Sequence, residues 1–238
     1  MGKKVIILPT YNEKNNIGLT IKDIISVLPE VNILVVDDNS PDGTAEIVKK
    51  LMLQYPHLSI LERFSKTGLG DAYKDAIERI IADKNTDVVI TMDADGSHQP
   101  KYLNDFLKNI NGCDLVIGSR YVPGGGVENW ESWRKLLSKF GNLYARILTG
   151  MKIKDLTAGF MCIKRELLEK VNFDEINSAG YAYLLEFKFY CVNKLGARVK
   201  EVPIIFTERR EGESKMSRQI IIEGIKAPLR IFIKRLFS

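Results

Sequence analysis

The sequence has no run of about 18 uncharged apolar residues, the length a helix needs to cross a bilayer, so no transmembrane helix is expected. Its start, Met1 to Lys4 running straight into Val5-Ile6-Ile7-Leu8, lacks the apolar core and cleavage site of a signal peptide. Cysteine is scarce. Cys113, Cys162 and Cys191 are odd in number and lack metal-type spacing, which argues against a disulfide framework or zinc site and favours a reduced, cytosolic setting. His57 and His98 have no metal-ligand spacing to each other; His98 is expected to support the acidic turn beside it and His57 to lie on the surface. No Walker A pattern and no Gly-x-Ser-x-Gly elbow appears, and Gly68-Leu69-Gly70 runs into Asp71-Ala72-Tyr73 without completing a dinucleotide fingerprint. Internal repeats, low-complexity tracts and domain-splitting linkers are also missing.

What is present fits one α/β domain with a short appendage. A chain of 238 residues can bury a full core without covalent staples. Its net charge of +5 suits anionic lipid, nucleotide phosphates or nucleic acid alike and does not choose among them.

Short β-branched runs at Val5–Leu8, Ile33–Val36, Leu58–Leu61, Val88–Met92 and Leu115–Ile117 read as buried parallel strands. Helical patterns lie between them, at about 17–28, 43–54, 69–82 and 100–110. This alternation predicts a doubly wound parallel sheet, whose ligands bind beyond the carboxyl ends of the strands. Later in the chain a helix is expected from Trp133 to Leu148, a turn into a strand at 155–160, a helix at 181–195, a strand at Val199–Phe206 and a last helix at 218–236.

Four strand ends are markedly polar. They read Pro9-Thr10-Tyr11-Asn12-Glu13, Asp37-Asp38-Asn39-Ser40-Pro41-Asp42-Gly43, Asp93-Ala94-Asp95-Gly96-Ser97-His98-Gln99 and Gly118-Ser119-Arg120-Tyr121. The carboxylates of Asp93 and Asp95, at i and i+2 leaving a strand, can converge on one hard cation such as Mg²⁺ or Mn²⁺. Taken alone they also read as a solvated acidic turn or a helix cap ahead of Pro100. Asp38 suits either the same metal or a ribose or base, whereas Asp42 reads as a capping residue. Arg120 sits where a phosphate calls for a fork-shaped cation. Arg134, Arg209, Arg210 and Lys215 lie in polar segments, and the charge-dense stretch 208–215 reads as a loop able to close over a diphosphate.

Together these motifs, with Asp155-Leu156-Thr157, Gly159-Phe160 and Gly212-Glu213-Ser214-Lys215, resemble the family 2 glycosyltransferases of GT-A fold, and within them the dolichyl- or polyprenyl-phosphate mannose synthases. The resemblance spans about residues 5–216. It implies a mostly parallel central sheet flanked by helices, with a nucleotide-sugar half over about 1–121 and an acceptor half over about 122–216. Pro9, Tyr11, Glu13 and Asp38 would hold the nucleoside. Asp93, Asp95 and Ser97 would bind Mg²⁺ or Mn²⁺, Ser97 standing where relatives often carry Gln. Arg120 and Arg209 would meet donor or acceptor phosphate, Arg134 and Asp155 would border the acceptor, and Lys215 would contact substrate. The implied reaction is inverting transfer of mannose from GDP-mannose to a dolichyl or polyprenyl phosphate, with UDP-glucose as the competing donor and a non-catalytic binding subunit as the reading of another class. The implied partners include a membrane surface and a membrane-anchoring subunit, and no nucleic acid. Glu186 would be a base only for a hydroxyl acceptor.

Residues 217–238 carry Ile221, Ile225, Leu229, Phe232 and Leu236 on one helical stripe, with Arg218, Lys226, Arg230, Lys234 and Arg235 against Glu223 alone. A basic amphipathic helix of this kind suits docking at the cytoplasmic face of a membrane. The competing expectation is a helix that packs on the domain or on a partner subunit.

Overall fold

A register of alternating burial organises the chain. The computed structural model describes residues 2–176, 178, 180–210 and 218–236. Strands β1 (Lys3–Thr10), β2 (Asn32–Asp37), β3 (Leu58–Glu62) and β4 (Thr86–Thr91) alternate with helices α1 (Ile17–Val27), α2 (Thr44–Met52) and α3 (Leu69–Ile81). After α4 (Leu103–Asn109) come β5 (Leu115–Ser119), the short β6 (Gly126–Val127) and α5 (Ser132–Thr149). The chain then forms β7 (Met161–Lys164), α6 (Arg165–Leu168), α7 (Gly180–Phe189), β8 (Val199–Pro203), β9 (Ile205–Phe206) and α8 (Arg218–Leu236).

The main sheet has seven strands in the order β3-β2-β1-β4-β7-β5-β8. All neighbouring pairs are parallel except those of β7, which runs antiparallel between β4 and β5. The expected parallel sheet is therefore mixed. The chain winds from β1 outward to β3 and then returns to the other side of β1 with β4, which places a topological switch point between β1 and β4.

Successive residues of β1 face opposite cores. Val5 and Ile7 join Leu34, Val36, Val89, Tyr73, Ile77, Leu184 and Phe187 under α3 and α7, where Ala227 and Ile231 of α8 also pack. Ile6 and Leu8 join Ile33, Val35, Ile90, Ile21, Ile24, Val48 and Phe106 under α1, α2 and α4. Helices on both faces explain why these strands are continuously apolar.

The strand expected over Val199–Phe206 is two. β8 leaves the main sheet at Pro203, Ile204 is buried, and β9 pairs in parallel with β6 in a separate ribbon. The helix expected at 181–195 begins at Gly180 and ends in a π turn over Tyr190–Lys194. No helix among the described residues is long and apolar enough to cross a membrane.

The last helix packs on the domain by one face and leaves apolar side chains exposed on the other. Its inner face is part of the domain: Ala227 and Ile231 are buried, the Tyr144 hydroxyl donates to the Ile225 carbonyl (3.1 Å), and Arg230 lies 3.5 Å from Glu186 of α7. Its exposed apolar residues are Ile222, Ile225, Leu229 and Ile233, so the outward stripe keeps Ile225 and Leu229 of the expected set while Phe232 is half-buried. The side chains of Ile221 and Leu236 lie outside the described set.

Candidate active site

The acidic turn after β4 is built by its own side chains. The Ser97 amide and hydroxyl both donate to Asp95 Oδ1 (3.0 and 2.6 Å), which fixes the second carboxylate of the pair. The Asp93 amide donates to His98 Nδ1 at 2.9 Å, so that nitrogen carries a lone pair and the imidazole is neutral with its proton on Nε2. Its approach to Asp93 Oδ2, 3.6 Å, is accordingly a neighbour contact and not an ion pair. Gly96, between them, has φ of +81°, and a Cβ there would sit 2.9 Å from the Arg210 side chain, so the turn needs glycine.

Residues Thr207–Arg210 lie along this turn. The Thr207 amide donates to the Ser97 carbonyl (3.3 Å) and the Arg210 amide to the Asp95 carbonyl (3.1 Å). The side chains then fasten in three directions: Glu208 to Arg134 of α5 (3.6 Å), Arg209 to Asp95 Oδ2 (3.3 Å) and Arg210 to Asp23 of α1.

The donor set of Asp93, Asp95 and Ser97 is entirely hard oxygen, which fits Mg²⁺ or Mn²⁺. The Arg209 guanidinium, 3.3 Å from Asp95 Oδ2, balances the charge of this carboxylate. No group of three or more His, Cys, Asp or Glu among the described residues is arranged to hold a metal. Two carboxylates and a hydroxyl therefore leave much of a six-oxygen shell to water and substrate phosphate, the usual habit of Mg²⁺ sites.

Beside the turn, at the ends of β1 and β2, lie the residues expected to hold the nucleoside. Pro9 is half-buried in the β1–β2 pairing, and the Lys66 ammonium caps the Tyr11 ring 3.7 Å from its centroid. Glu13 is buried and accepts from Asn16 Nδ2 (2.9 Å), while its amide donates to Thr44 Oγ1 (3.0 Å), tying the starts of α1 and α2 together. Asp42 accepts from the Thr44 amide, the capping role expected of it. Asp37 is absorbed by Thr10 and Ser40. Asp38 is the carboxylate that pairs with Arg63; burial raises its carboxyl, against the pull of that cation.

Arg63 was not anticipated. It follows β3 directly and binds Asp38, Asp75 and Thr67 together. The strand-end rule that picked out the other four segments applies to this one as well.

Arg120 and Asp155 make the most fully formed pair. Arg120 Nε and Nη2 donate to the two Asp155 oxygens at 2.8 and 2.7 Å, the Arg120 amide adds a third bond at 2.9 Å, and Nη2 also reaches Thr157 Oγ1 at 2.8 Å. Burial alone would raise the Asp155 carboxyl, but the Arg120 charge and hydrogen bonds hold it below the usual carboxylate range. Asp155 is 0 % exposed, and its carboxylate is engaged by the Arg120 donors. Around the guanidinium stand Tyr121, Trp130 and Phe206, with ring centroids 5.3 to 5.8 Å away. Arg134 stacks on the far ring of this group, 4.2 Å from the Trp130 centroid. Phe206 meets His98 edge-on at 5.4 Å, which joins the aromatic group to the acidic turn.

Below the 155–158 segment lies Lys188 of α7, 0 % exposed, also unanticipated. Its ammonium donates to the carbonyls of Leu156 (3.0 Å) and Ala158 (2.6 Å), and burial pushes its pKa down to about 7. Glu186 accepts from the Ser178 amide (3.1 Å) and lies 3.5 Å from Arg230. Lys215, with Gly212 and Ser214, lies outside the described residues.

The described residues thus bring carboxylates and guanidinium groups to one rim at the switch point. Solved structures share the fold. A glucosyl-3-phosphoglycerate synthase from Mycobacterium tuberculosis, solved with Mn²⁺, UDP and glucosyl-3-phosphoglycerate, superposes with a TM-score of 0.69 at 18% identity over 97% of this chain and 80% of that one. A mannosyltransferase from Pyrobaculum calidifontis, solved with GDP-Man and Mn²⁺, gives 0.64 at 18% identity over 100% of this chain and 65% of that one. The profile of "Glycosyl transferase family 2" matches residues 5–171, and the chain belongs to that family; it is a glycosyltransferase. Among its relatives is a polyprenol monophosphomannose synthase from Mycolicibacterium smegmatis, 44% identical over 94% of this chain and 84% of the relative. An undecaprenyl-phosphate mannosyltransferase from Micrococcus luteus is 43% identical over 92% and 89%. A dolichol-phosphate mannosyltransferase from Pyrococcus furiosus is 37% identical over 96% of this chain, which spans 63% of that longer protein.

Proposed function

We propose that this glycosyltransferase transfers mannose from GDP-mannose to a polyprenyl or dolichyl phosphate at the cytoplasmic face of a membrane, with inversion at the anomeric carbon. The observation that carries the reading is the Asp93–Asp95–Ser97 oxygen set at the switch point, with a guanidinium already against Asp95. The names of the three relatives support mannose and a lipid phosphate. In this reading residues 1–121 form the donor half, 122–216 the acceptor half and 217–238 a membrane-facing helix.

The chemistry asks little of the protein beyond position and charge. A phosphate monoester is largely dianionic near neutral pH, its second pKa being about 6, so an acceptor oxygen attacks the anomeric carbon without a general base. A new carbon–oxygen bond forms as the bond to the diphosphate breaks, and the nucleoside diphosphate departs with the electron pair. Mg²⁺ or Mn²⁺ held by Asp93, Asp95 and Ser97 would supply Lewis-acid stabilisation of that leaving group. Arg209, beside Asp95, would neutralise a diphosphate oxygen, and Arg120, locked by Asp155, would offer a preorganised guanidinium to the acceptor phosphate. Pro9, Tyr11, Glu13 and Asp38 frame the nucleoside, and Arg134 borders the acceptor. The outward stripe of α8 with Lys226 brings the rim to the bilayer that holds the lipid phosphate.

The test is transfer of labelled sugar from GDP-mannose, and separately from UDP-glucose, to a polyprenyl phosphate, with and without EDTA. Label should reach lipid from GDP-mannose only, should stop with EDTA and should return with Mg²⁺ or Mn²⁺. Transfer from UDP-glucose alone would replace the donor; transfer undiminished by EDTA would remove the metal.

A further inference from the structure

A second cationic site lies on the acceptor half. A cavity of about 350 Å³ opens between the 120–125 segment, α5 and Lys154. Four cations, Arg120, Lys139, Arg146 and Lys154, line it and no acid does. Arg120 is compensated by Asp155. The other three form no ion pair with the described residues, and Arg146 Nε is buried without a hydrogen-bond partner. Glu201, behind Lys154, uses both carboxylate oxygens on the Lys154 and Asp155 amides (2.8 and 3.0 Å). The charges are held in place by Asn142, one of the lining residues. Its amide donates to Thr157 Oγ1 and its carbonyl accepts from the Leu156 amide at 2.8 Å, so α5 is pinned to the 155–157 segment midway between Lys139 and Arg146.

The mouth of this cavity borders an apolar band. Leu143 lines the cavity, and it belongs to a stripe on α5 formed with Trp133, Leu136, Phe140 and Ile147, all between 47 and 69 % exposed. The exposed residues of α8 lie alongside, since Tyr144 and Leu148 on the other flank of α5 bond to Ile225 and Arg235. Two adjacent helices thus present one broad apolar face, flanked by Lys139 and Arg146 on one side and by the exposed Lys226 on the other. A soluble monomer rarely exposes so large a patch without using it.

We propose that the Arg146 cavity binds the phosphate of an anionic bilayer lipid, with the α5–α8 face seated in the acyl boundary beside it. Charge complementarity selects this occupant. A second copy of the chain would bring like-charged flanks together, whereas a bilayer offers acyl chains at the centre and phosphates at the edges. The proposal extends the membrane-facing reading of α8 and needs no part of the sugar chemistry.

Vesicle flotation with the full chain, without donor or acceptor, tests it. Wild type should partition more strongly into phosphatidylcholine vesicles containing phosphatidylglycerol than into phosphatidylcholine alone, with a blue shift of emission that Trp133→Phe reduces. The triple variant Lys139→Gln, Arg146→Gln, Lys154→Gln should lose roughly 10²-fold in partition on the anionic vesicles, about fivefold per basic residue at such a surface, and little on neutral ones. Its circular dichroism, and its turnover on a short-chain polyprenyl phosphate in detergent, should match wild type. Phe140→Ser should weaken binding to both vesicle types. Equal partition of the triple variant and wild type on anionic vesicles overturns the assignment, as does wild-type binding that ignores lipid charge. Displacement of wild type from vesicles by inorganic phosphate at the same phosphate concentration would make the cavity a soluble-anion site instead. Loss of sugar transfer with vesicle binding intact would count against the proposed reaction and leave this site standing.

Discussion

Replacing Asp155 by Asn isolates what the buried pair contributes. The substitution keeps the volume and one acceptor oxygen but removes the charge that three Arg120 donors converge on. Breaking a buried ion pair from one side costs about 3–5 kcal/mol, because the remaining charge stays desolvated. Thr157 Oγ1 and the retained carbonyl oxygen favour the lower end, about 3 kcal/mol. For a domain of this size each kcal/mol moves the midpoint by about 2–4 °C, so a fall of roughly 6–12 °C is expected by far-ultraviolet circular dichroism. The pH dependence has a definite sign. The Asp155 carboxyl is held below its ordinary value of 3.8, so its contribution is complete above that pH and is lost as pH drops through the lower folded value. The gap between wild type and variant should therefore be as wide at pH 5 as at pH 7. Turnover, assayed well below both midpoints, should fall by about 10²-fold because Arg120 loses its aim. A midpoint within about 2 °C of wild type, or a gap that closes between pH 7 and 5, would refute the reasoning.

Asp95→Ala should leave the fold intact and reduce turnover by roughly 10²-fold or more; retention of over about a tenth of wild-type activity at saturating metal would remove Asp95 from the cation site. For Lys188, held near 7 in the fold against an ordinary 10.5, the unfolded chain binds the extra proton between those values, so this group makes stability rise with pH across that window. Lys188→Met should abolish that rise, which is at most about 1.4 kcal/mol per pH unit, and urea titrations at pH 6.5 and 9 that show the same wild-type slope in the variant would contradict it. Cys113, Cys162 and Cys191 are all buried, and burial raises their thiols. A thiol reagent at pH 8 should therefore label the native chain only on unfolding, and rapid labelling of Cys162 would show that its core opens readily.

Much of this architecture is written locally. Each parallel strand is a short β-branched run ended by a polar segment, and the pattern fixes both the element and the rim it points to. β7 is harder to read. Its residues Met161–Lys164 look like any buried strand, and nothing in four residues states that they run against their neighbours. Arg120 and Asp155 stand 35 positions apart, and the partnership depends on β7 bringing the 155–160 segment back to the rim. Lys188 lies among Leu184, Leu185, Phe187 and Phe189, where a lone cation signals a buried partner, but the acceptors are backbone carbonyls that carry no sequence mark. Periodicity identified the apolar stripe on α8 but not the one on α5. It could not tell whether that stripe faces the core, because an inward face and a lipid-facing one have the same spacing.

The reversed direction of β7 has a consequence for how such an enzyme can be altered. An antiparallel strand begins at the edge where its parallel neighbours end, so the chain leaves β5 and enters β7 at the same rim. Everything between, residues 120–160, is a detour whose two ends are anchored side by side, and the sheet does not register its length. A segment with that property behaves as an exchangeable cassette. On the proposed division into donor and acceptor halves, swapping it among relatives should redirect which acceptor is glycosylated while strands β1, β2 and β4 remain as they are.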